Sequence, residues 1–150
     1  MTETEIFARN RVILCHFDGY STALVFARFG NTLLAPEAPP EGSTITSAPA
    51  DMAEVYAGNA VLQASIARYR LKPADVLRDS VYDAWLQAER GPPIRVHLLR
   101  FQTFLAPAEV IEPHGGVFFP ISALRGASRV ELALIRGVFN LIVGGDQSRG

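Results

Sequence analysis

The chain has 150 residues, of which 49% are hydrophobic and only 19% are charged, and its formal net charge is −1. This composition excludes disorder over most of the chain, and the charge offers no electrostatic basis for binding nucleic acid or an acidic membrane. A single domain spanning residues 1–150 is expected at this length. The low charged fraction predicts that a second copy covers part of the surface, in a homo-oligomer.

The basic residues and the one cysteine indicate source and compartment. Lys72 is the only lysine, and abundant arginine, alanine and glycine are typical of a GC-rich bacterial genome. Cys15 has no partner for an intrachain disulfide, which fits a reducing compartment. The first residues lack the pattern of a secretory signal, and the longest apolar run, residues 138–143, is too short to span a bilayer. We therefore predict a cytoplasmic bacterial protein.

The first third of the chain predicts strands followed by a loop. Arg11–Phe17 is a continuous apolar run that ends at Asp18-Gly19, which predicts a buried strand closed by a turn. Tyr20–Phe29 fits either a returning strand or a helix, because Gly30-Asn31 could end a helix. Pro36–Pro49 is rich in proline and poor in hydrophobic residues, so it is predicted to be a surface loop.

Two helices are predicted after this loop. Asp51 and Glu54 have the spacing of a capping box, which places the start of the first helix there and its end near Arg70. Pro73 suits the first turn of a second helix, which would run to about Glu89.

The last third predicts a strand, a hairpin and a helix. Ile94–Phe104 is the clearest strand, and a hairpin across residues 109–121 follows it. Ser128 and Glu131 form a second capping box, which begins a final helix that ends near Gly144-Gly145. The order of elements predicts an α+β domain with a mainly antiparallel sheet and about three helices. A thioredoxin-like α/β layout is the alternative.

The turn from Glu112 to Gly116 is the first candidate site. A hairpin turn accounts for Pro113 and Gly115, because proline favours the second position of a type I turn and glycine accepts a positive φ. Glu112 and His114 would lie close together on this rigid turn, where they could exchange a proton or bind a metal. They are the candidate catalytic residues.

A second candidate site combines a strand end with this turn. His16 and Asp18 lie two positions apart, so their side chains are expected on one face of the strand. With His114 they would supply two histidines and one carboxylate, a ligand set used by non-haem iron. The predicted metal ligands are therefore His16, Asp18 and His114, whereas His97 is expected to be structural. The identity of any cofactor is left open.

The final helix is a candidate interface. Its apolar surface is wider than the roughly 100° stripe that a surface helix needs, which predicts burial on two sides. One of those sides is predicted to be a subunit interface formed by Val130, Leu134, Val138, Phe139 and Ile142.

Three functions are compatible with these features. Because no complete catalytic motif is present, we predict an accessory, regulatory or binding subunit that self-associates. The alternative is a metal-dependent or acid–base enzyme, which requires His16 and His114 to lie close together. A small-molecule binder is also possible. Its groove, between the sheet and the helices of residues 51–89, would be lined by Tyr56, Tyr69, Tyr82 and Trp85.

Overall fold

The structure is a computed structural model that describes residues 1–124 and 126–144. In these residues it contains four α-helices and six strands. The helices are α1 (Glu3–Arg9), α2 (Gly58–Tyr69), α3 (Ala108–Ile111) and α4 (Arg129–Phe139). The strands are β1 (Asn10–Phe17), β2 (Leu24–Phe29), β3 (Thr44–Thr46), β4 (Val76–Gln87), β5 (Ile94–Phe101) and β6 (Gly116–Pro120).

The six strands form one mixed sheet in the order β3-β4-β5-β1-β2-β6. Only β1 and β5 run parallel, and the other neighbouring pairs are antiparallel. The predicted α+β class with a mainly antiparallel sheet is confirmed. The thioredoxin-like alternative is wrong, because Tyr20–Phe29 contains no helix and ends in β2, which returns beside β1.

Helices cover both faces of the sheet. Side chains of β1 alternate between the faces, so Ile13 points toward one apolar cluster and Leu14 toward the other. The first cluster is completed by α4, through Leu134 and Val138 among others. The second cluster is completed by α1, α2 and α3. The central strand therefore contributes to both halves of the core.

The predicted second helix, residues 73–89, is wrong because most of this segment is β4. Pairing between β4 and β5 is irregular from Asp79 to Ala84, where extra residues of β4 loop out as a bulge. The bulge changes which side chains face inward, so the buried residues Tyr82 and Trp85 lie three positions apart. That spacing resembles the apolar spacing of a helix, which explains the error.

Two other predicted boundaries also differ from the structure. α2 begins at Gly58 rather than near Asp51, and no side chain caps its start, although its predicted end near Arg70 is confirmed. The predicted hairpin across residues 109–121 contains a single strand. The segment instead forms α3, a 3-10 turn from Glu112 to His114, and β6.

The loop and the last helix agree more closely with prediction. Residues 36–49 lie mostly at the surface and include β3, which pairs with the end of β4. Ser128 caps α4 by accepting a hydrogen bond from the backbone N–H of Glu131. A π-helical segment, Asn140–Gly144, continues α4, and Gly145 lies outside the described residues. No helix in the described ranges is long and apolar enough to cross a membrane.

Candidate binding groove

The 3-10 turn before β6 holds the predicted pair Glu112 and His114 at the surface, where both side chains are exposed. Gly115 ends the turn with φ +80°, the positive value expected from the sequence. The His114 ring contacts Tyr69 edge to face, with 5.0 Å between the ring centroids. His114 therefore lies against the end of α2.

The end of α2 has an unusual residue at its left-handed position. The backbone N–H groups of Arg70 and Leu71 both donate to the carbonyl oxygen of Ile66, which closes the last turn. Arg70 adopts φ +52° and ψ +46°, a conformation in which glycine is the common residue. Leu71 is buried and fixes the chain to the core. The Arg70 side chain is thus placed at the surface by a strained backbone.

Two adjoining surface grooves meet at this helix end. Their volumes are about 560 and 540 Å³, and both are lined by Arg68, Tyr69, Arg70 and His114. We call the combined feature, defined by these four residues, the α2 groove. Glu3 adds a carboxylate to one part of the groove, and Glu109 adds one to the other.

The two arginines of the α2 groove differ in their charge balance. Arg68 forms an ion pair with Glu3 at 2.8 Å, and this hydrogen bond raises the pKa of Arg68. Its guanidinium carbon also lies 5.9 Å from the centroid of the Tyr69 ring. Arg70 has no carboxylate within ion-pair distance in the part of the chain that the structure describes. Arg70 is therefore the uncompensated cation of the groove.

Tyr69 provides the apolar wall of the α2 groove. Its ring is largely buried between Phe29 and His114, and burial raises the pKa of its phenol. A neutral phenol at physiological pH is a hydrogen-bond donor and an aromatic surface, not a base. The groove thus combines an aromatic wall with a free cation.

The predicted metal ligands at the other end of the sheet have structural contacts of their own. The Nε2 atom of buried His16 lies 2.7 Å from the carbonyl oxygen of Thr103, so Nε2–H is the donor. Asp18 accepts hydrogen bonds from the backbone N–H groups of Tyr20 and Ser21. The bond from Tyr20 is the main reason that the pKa of Asp18 is lowered. His16 thus joins the end of β1 to the segment after β5, and Asp18 holds the turn after β1.

His16 and His114 do not converge. His16 lies opposite Val25 on β2, whereas Gly116, just after His114, lies opposite Phe29. The β2 segment between those partners spans about 13 Å, far more than bonds of about 2 Å to one metal allow. Within residues 1–124 and 126–144, no group of three His, Cys, Asp or Glu side chains is arranged to hold a metal. The predicted metal centre of His16, Asp18 and His114 is not formed.

His97 and Cys15 are buried groups with structural roles. Asn10 donates its Nδ2 hydrogens to two backbone carbonyls, so its Oδ1 accepts from His97 Nε2 at 2.8 Å. His97 Nδ1 then accepts from Arg78 Nε at 3.4 Å. Burial, with Arg95 and Arg78 nearby, lowers the pKa of His97 to about 3, so the imidazole is neutral. Burial likewise raises the pKa of the Cys15 thiol to about 12, which makes it unreactive.

The residues predicted as an interface on α4 lie mainly inside the chain. Leu134, Val138 and Ile142 are buried in the cluster between α4 and the sheet, and Val130 is half-buried against it. Phe139 is the exposed member, with 37% of its surface accessible. The wide apolar surface of α4 is thus largely explained by packing within one copy. Of the five predicted interface residues, Phe139 is the most accessible for contact with another copy.

The four aromatic residues predicted to line a small-molecule groove do not line a common groove. Tyr56 and Trp85 pack against each other in the core, and the Tyr82 hydroxyl donates to the carbonyl oxygen of Leu134. Tyr69, in contrast, borders the α2 groove.

Arg68 and Arg70 were not singled out by the sequence analysis. One signal was present, because the predicted helix end at Arg70 lacks the glycine or asparagine that commonly follows a helix. The contact between α2 and the turn of His114 joins distant parts of the chain, and no local pattern indicates it.

No protein-family model matches this chain, and no curated protein sequence matches it. The geometry of the α2 groove and the chemistry of the residues that line it are therefore the basis for inferring a function.

Proposed function

We propose that this chain is a non-catalytic, self-associating binding subunit of the bacterial cytoplasm, and that its α2 groove holds a small acidic molecule. The observation that carries the proposal is Arg70, an exposed guanidinium with no ion-pair partner in the described residues, on the rim of both parts of the groove. A carboxylate or phosphate group is the chemistry that a free guanidinium recognises best, because its donors match two oxygens at once.

The surroundings of Arg70 limit what the ligand can be. Tyr69 and His114 offer ring surface beside the cation, which favours a ligand with an apolar or planar part next to its acidic group. Glu3 and Glu109 lie at the two sides of the groove, and a ligand with acidic groups at both ends would meet repulsion there. We therefore favour a ligand with one compact acidic group.

The same geometry favours binding over catalysis. Glu112 and His114 are both exposed, and no hydrogen bond joins them in the described part of the chain. A general base is normally oriented by a second group and lies within hydrogen-bond reach of its target. The alternative enzyme also required His16 near His114. His16 lies opposite Val25 and His114 lies beyond Phe29, at the two ends of a β2 segment that spans about 13 Å.

A thermal-unfolding panel tests the ligand class. The purified protein is heated with benzoate, phenyl phosphate or inorganic phosphate, and with benzyl alcohol as the uncharged match. A ligand at 100 times its dissociation constant stabilises the folded state by about 2.7 kcal/mol, which raises the melting temperature by several degrees. We expect a rise with an acidic aromatic compound and none with benzyl alcohol.

Arg70→Ala identifies the site, and Arg90→Ala is its matched control. Arg90 is an exposed arginine in the turn between β4 and β5, and it does not line the α2 groove. The rise in melting temperature should disappear in Arg70→Ala and persist in Arg90→Ala. A rise that survives in Arg70→Ala, or the absence of a rise with every acidic compound, would contradict the proposal.

Self-association has separate support. The charged fraction is low, and several large apolar side chains are exposed in the described residues. Among them are Tyr20, Val81, Phe104, Leu105 and Val117. The rings of Tyr20 and Phe104 contact each other, and contiguous apolar surface on a small protein is typically covered by a partner. Sedimentation velocity across a concentration series should show the mean sedimentation coefficient rising with concentration, and a constant monomer value would contradict this part of the proposal.

A further inference from the structure

The free edges of the sheet are protected to different degrees. β3 is an outer strand of three residues, and it covers only the end of β4, from Trp85 to Gln87. The rest of the β4 edge contains a bulge and the charged residues Asp79 and Asp83. The Asp79 carboxylate also accepts the backbone N–H groups of Val81 and Tyr82. Bulges, charges and short length are the features that prevent strands from pairing with other chains.

β6, the other outer strand, has less protection. All five of its residues lie opposite β2 on one side, and no backbone hydrogen bond joins it to any other described segment. Its sequence, Gly-Val-Phe-Phe-Pro, contains no charge, and 52% of the Val117 surface is exposed. Pro120 interrupts the edge only at its last position. An uncharged apolar edge of this kind favours pairing with a further strand.

We infer that β6 binds β6 of a second copy, in antiparallel orientation about a two-fold axis, so that the two sheets become one. This inference rests on the self-association proposed above. A two-fold pairing centred on Phe118 places Phe118 opposite its equivalent and Val117 opposite Phe119. Aromatic and branched pairs of this kind stabilise neighbouring strands. The strand is therefore complementary to itself.

The charges nearest to β6 permit this pairing. Arg28 lies on β2, the strand next to β6. Its guanidinium carbon is 6.0 Å from the centroid of the Phe119 ring. In the paired sheet, three strand spacings, or about 14 Å, would separate the two Arg28 positions. That distance exceeds the screening length of about 8 Å at physiological ionic strength. Because the paired segment is short, the dimer is expected to be weak and dependent on concentration.

The test compares one substitution at two edges. Val117→Lys adds a charge to β6, and Val81→Lys adds the same charge to the protected β4 edge, where Val81 is 73% exposed. The two introduced lysines of a Val117→Lys dimer would face each other diagonally and repel. By sedimentation velocity, we expect Val117→Lys to raise the dimer dissociation constant about tenfold or more, and Val81→Lys to leave it unchanged. Far-UV circular dichroism and melting temperature establish that both variants fold.

Hydrogen exchange gives an independent measure of the same edge. Amides of β6 should exchange more slowly at dimer concentrations than at monomer concentrations, and this difference should vanish in Val117→Lys. A dimer that survives Val117→Lys but dissociates with Phe139→Glu or Phe104→Lys would overturn the β6 inference and leave self-association intact. A wild type that stays monomeric at all concentrations would overturn both.

Discussion

Arg70 shows how a single residue can oppose the stability of its own helix. A side chain at a left-handed backbone position costs about 1–2 kcal/mol, and glycine avoids this cost while losing some backbone entropy. The guanidinium recovers part of the cost by lying near the negative end of α2. The rest is unexplained by contacts within the described chain, which is typical of a residue that binds something else.

Two substitutions of Arg70 distinguish the effect of its backbone strain from the effect of its charge. Arg70→Ala and Arg70→Gly both remove the guanidinium, but only glycine relieves the strain at φ +52°. We expect Arg70→Gly to be more stable than Arg70→Ala by about 1 kcal/mol in urea denaturation. Neither variant should respond to the acidic ligand. Equal stability of the two variants would show that the position is not strained in solution.

His97 predicts how stability depends on pH. Its folded pKa of about 3 lies below the ordinary value of 6.5, so the unfolded chain takes up a proton first as the pH falls. The contribution of neutral His97 is therefore complete above pH 6.5 and is lost as the pH falls from 6.5 toward 3. The loss is on the order of 1 kcal/mol per pH unit in that window.

His97→Gln is the comparison that isolates this effect, because an amide does not titrate and can still donate to Asn10. Urea denaturation between pH 5 and 7.5 should show a shallower dependence on pH in His97→Gln than in wild type. Parallel curves for the two proteins would mean that His97 is protonated in the folded state or is exposed to water.

At the scale of elements, α4 is held to the rest of the fold by a buried carboxylate. Glu131 accepts the backbone N–H of Leu33 at 2.6 Å and the hydroxyl of Thr32 at 3.0 Å. In an ordinary capping box this glutamate would reach back to the N–H of Ser128. Here the first half of the box is formed, and the second half is replaced by a contact with the segment after β2.

Glu131→Ala is expected to destabilise the protein by about 2–3 kcal/mol, because the buried N–H of Leu33 would lose its acceptor. Glu131→Gln keeps an acceptor oxygen and should retain most of that stability. Ser128→Ala removes only the cap and should cost about 1 kcal/mol. Chemical denaturation measures the free energy of unfolding of the three variants. A loss of stability in Glu131→Ala no larger than that in Ser128→Ala would contradict the role of the buried carboxylate.

Local signals explain which elements the sequence could predict. β1 and β5 were recognised because each is a nearly continuous run of buried residues, and the start of α4 was recognised because Ser128 forms a cap. β4 was mistaken for a helix because its bulge is a property of pairing with β5, a partner that no local window contains. The turn at His114 was identified, but not the α2 surface it contacts.

At the scale of the whole molecule, β1 joins the two halves of the core. Because Leu14 belongs to one cluster and Ile13 to the other, neither half of the core can lose β1 and remain intact. The class of fold could be predicted from composition and from the succession of apolar runs. The strand order could not, since it is set by contacts between residues far apart in the chain.

Because β1 belongs to both halves of the core, we predict that the chain unfolds in a single transition. Trp85 is the only tryptophan and lies on β4, so its fluorescence reports on a strand that β5 separates from β1 in the sheet. Leu14→Ala should cost about 2–5 kcal/mol and shift the fluorescence and far-UV circular dichroism transitions together. Two separate midpoints would instead indicate that the faces of the sheet unfold independently.

The parallel pair of β1 and β5 has a consequence for synthesis on the ribosome. Residues 10–16 are made early, but their parallel partner, residues 95–101, is made much later. At a synthesis rate of about 5–20 residues per second, several seconds pass between the synthesis of β1 and that of β5. During this time one apolar edge of β1 is unpaired and open to other nascent chains. The centre of the sheet can therefore form only after β5 has been made, because β5 supplies the parallel partner of β1.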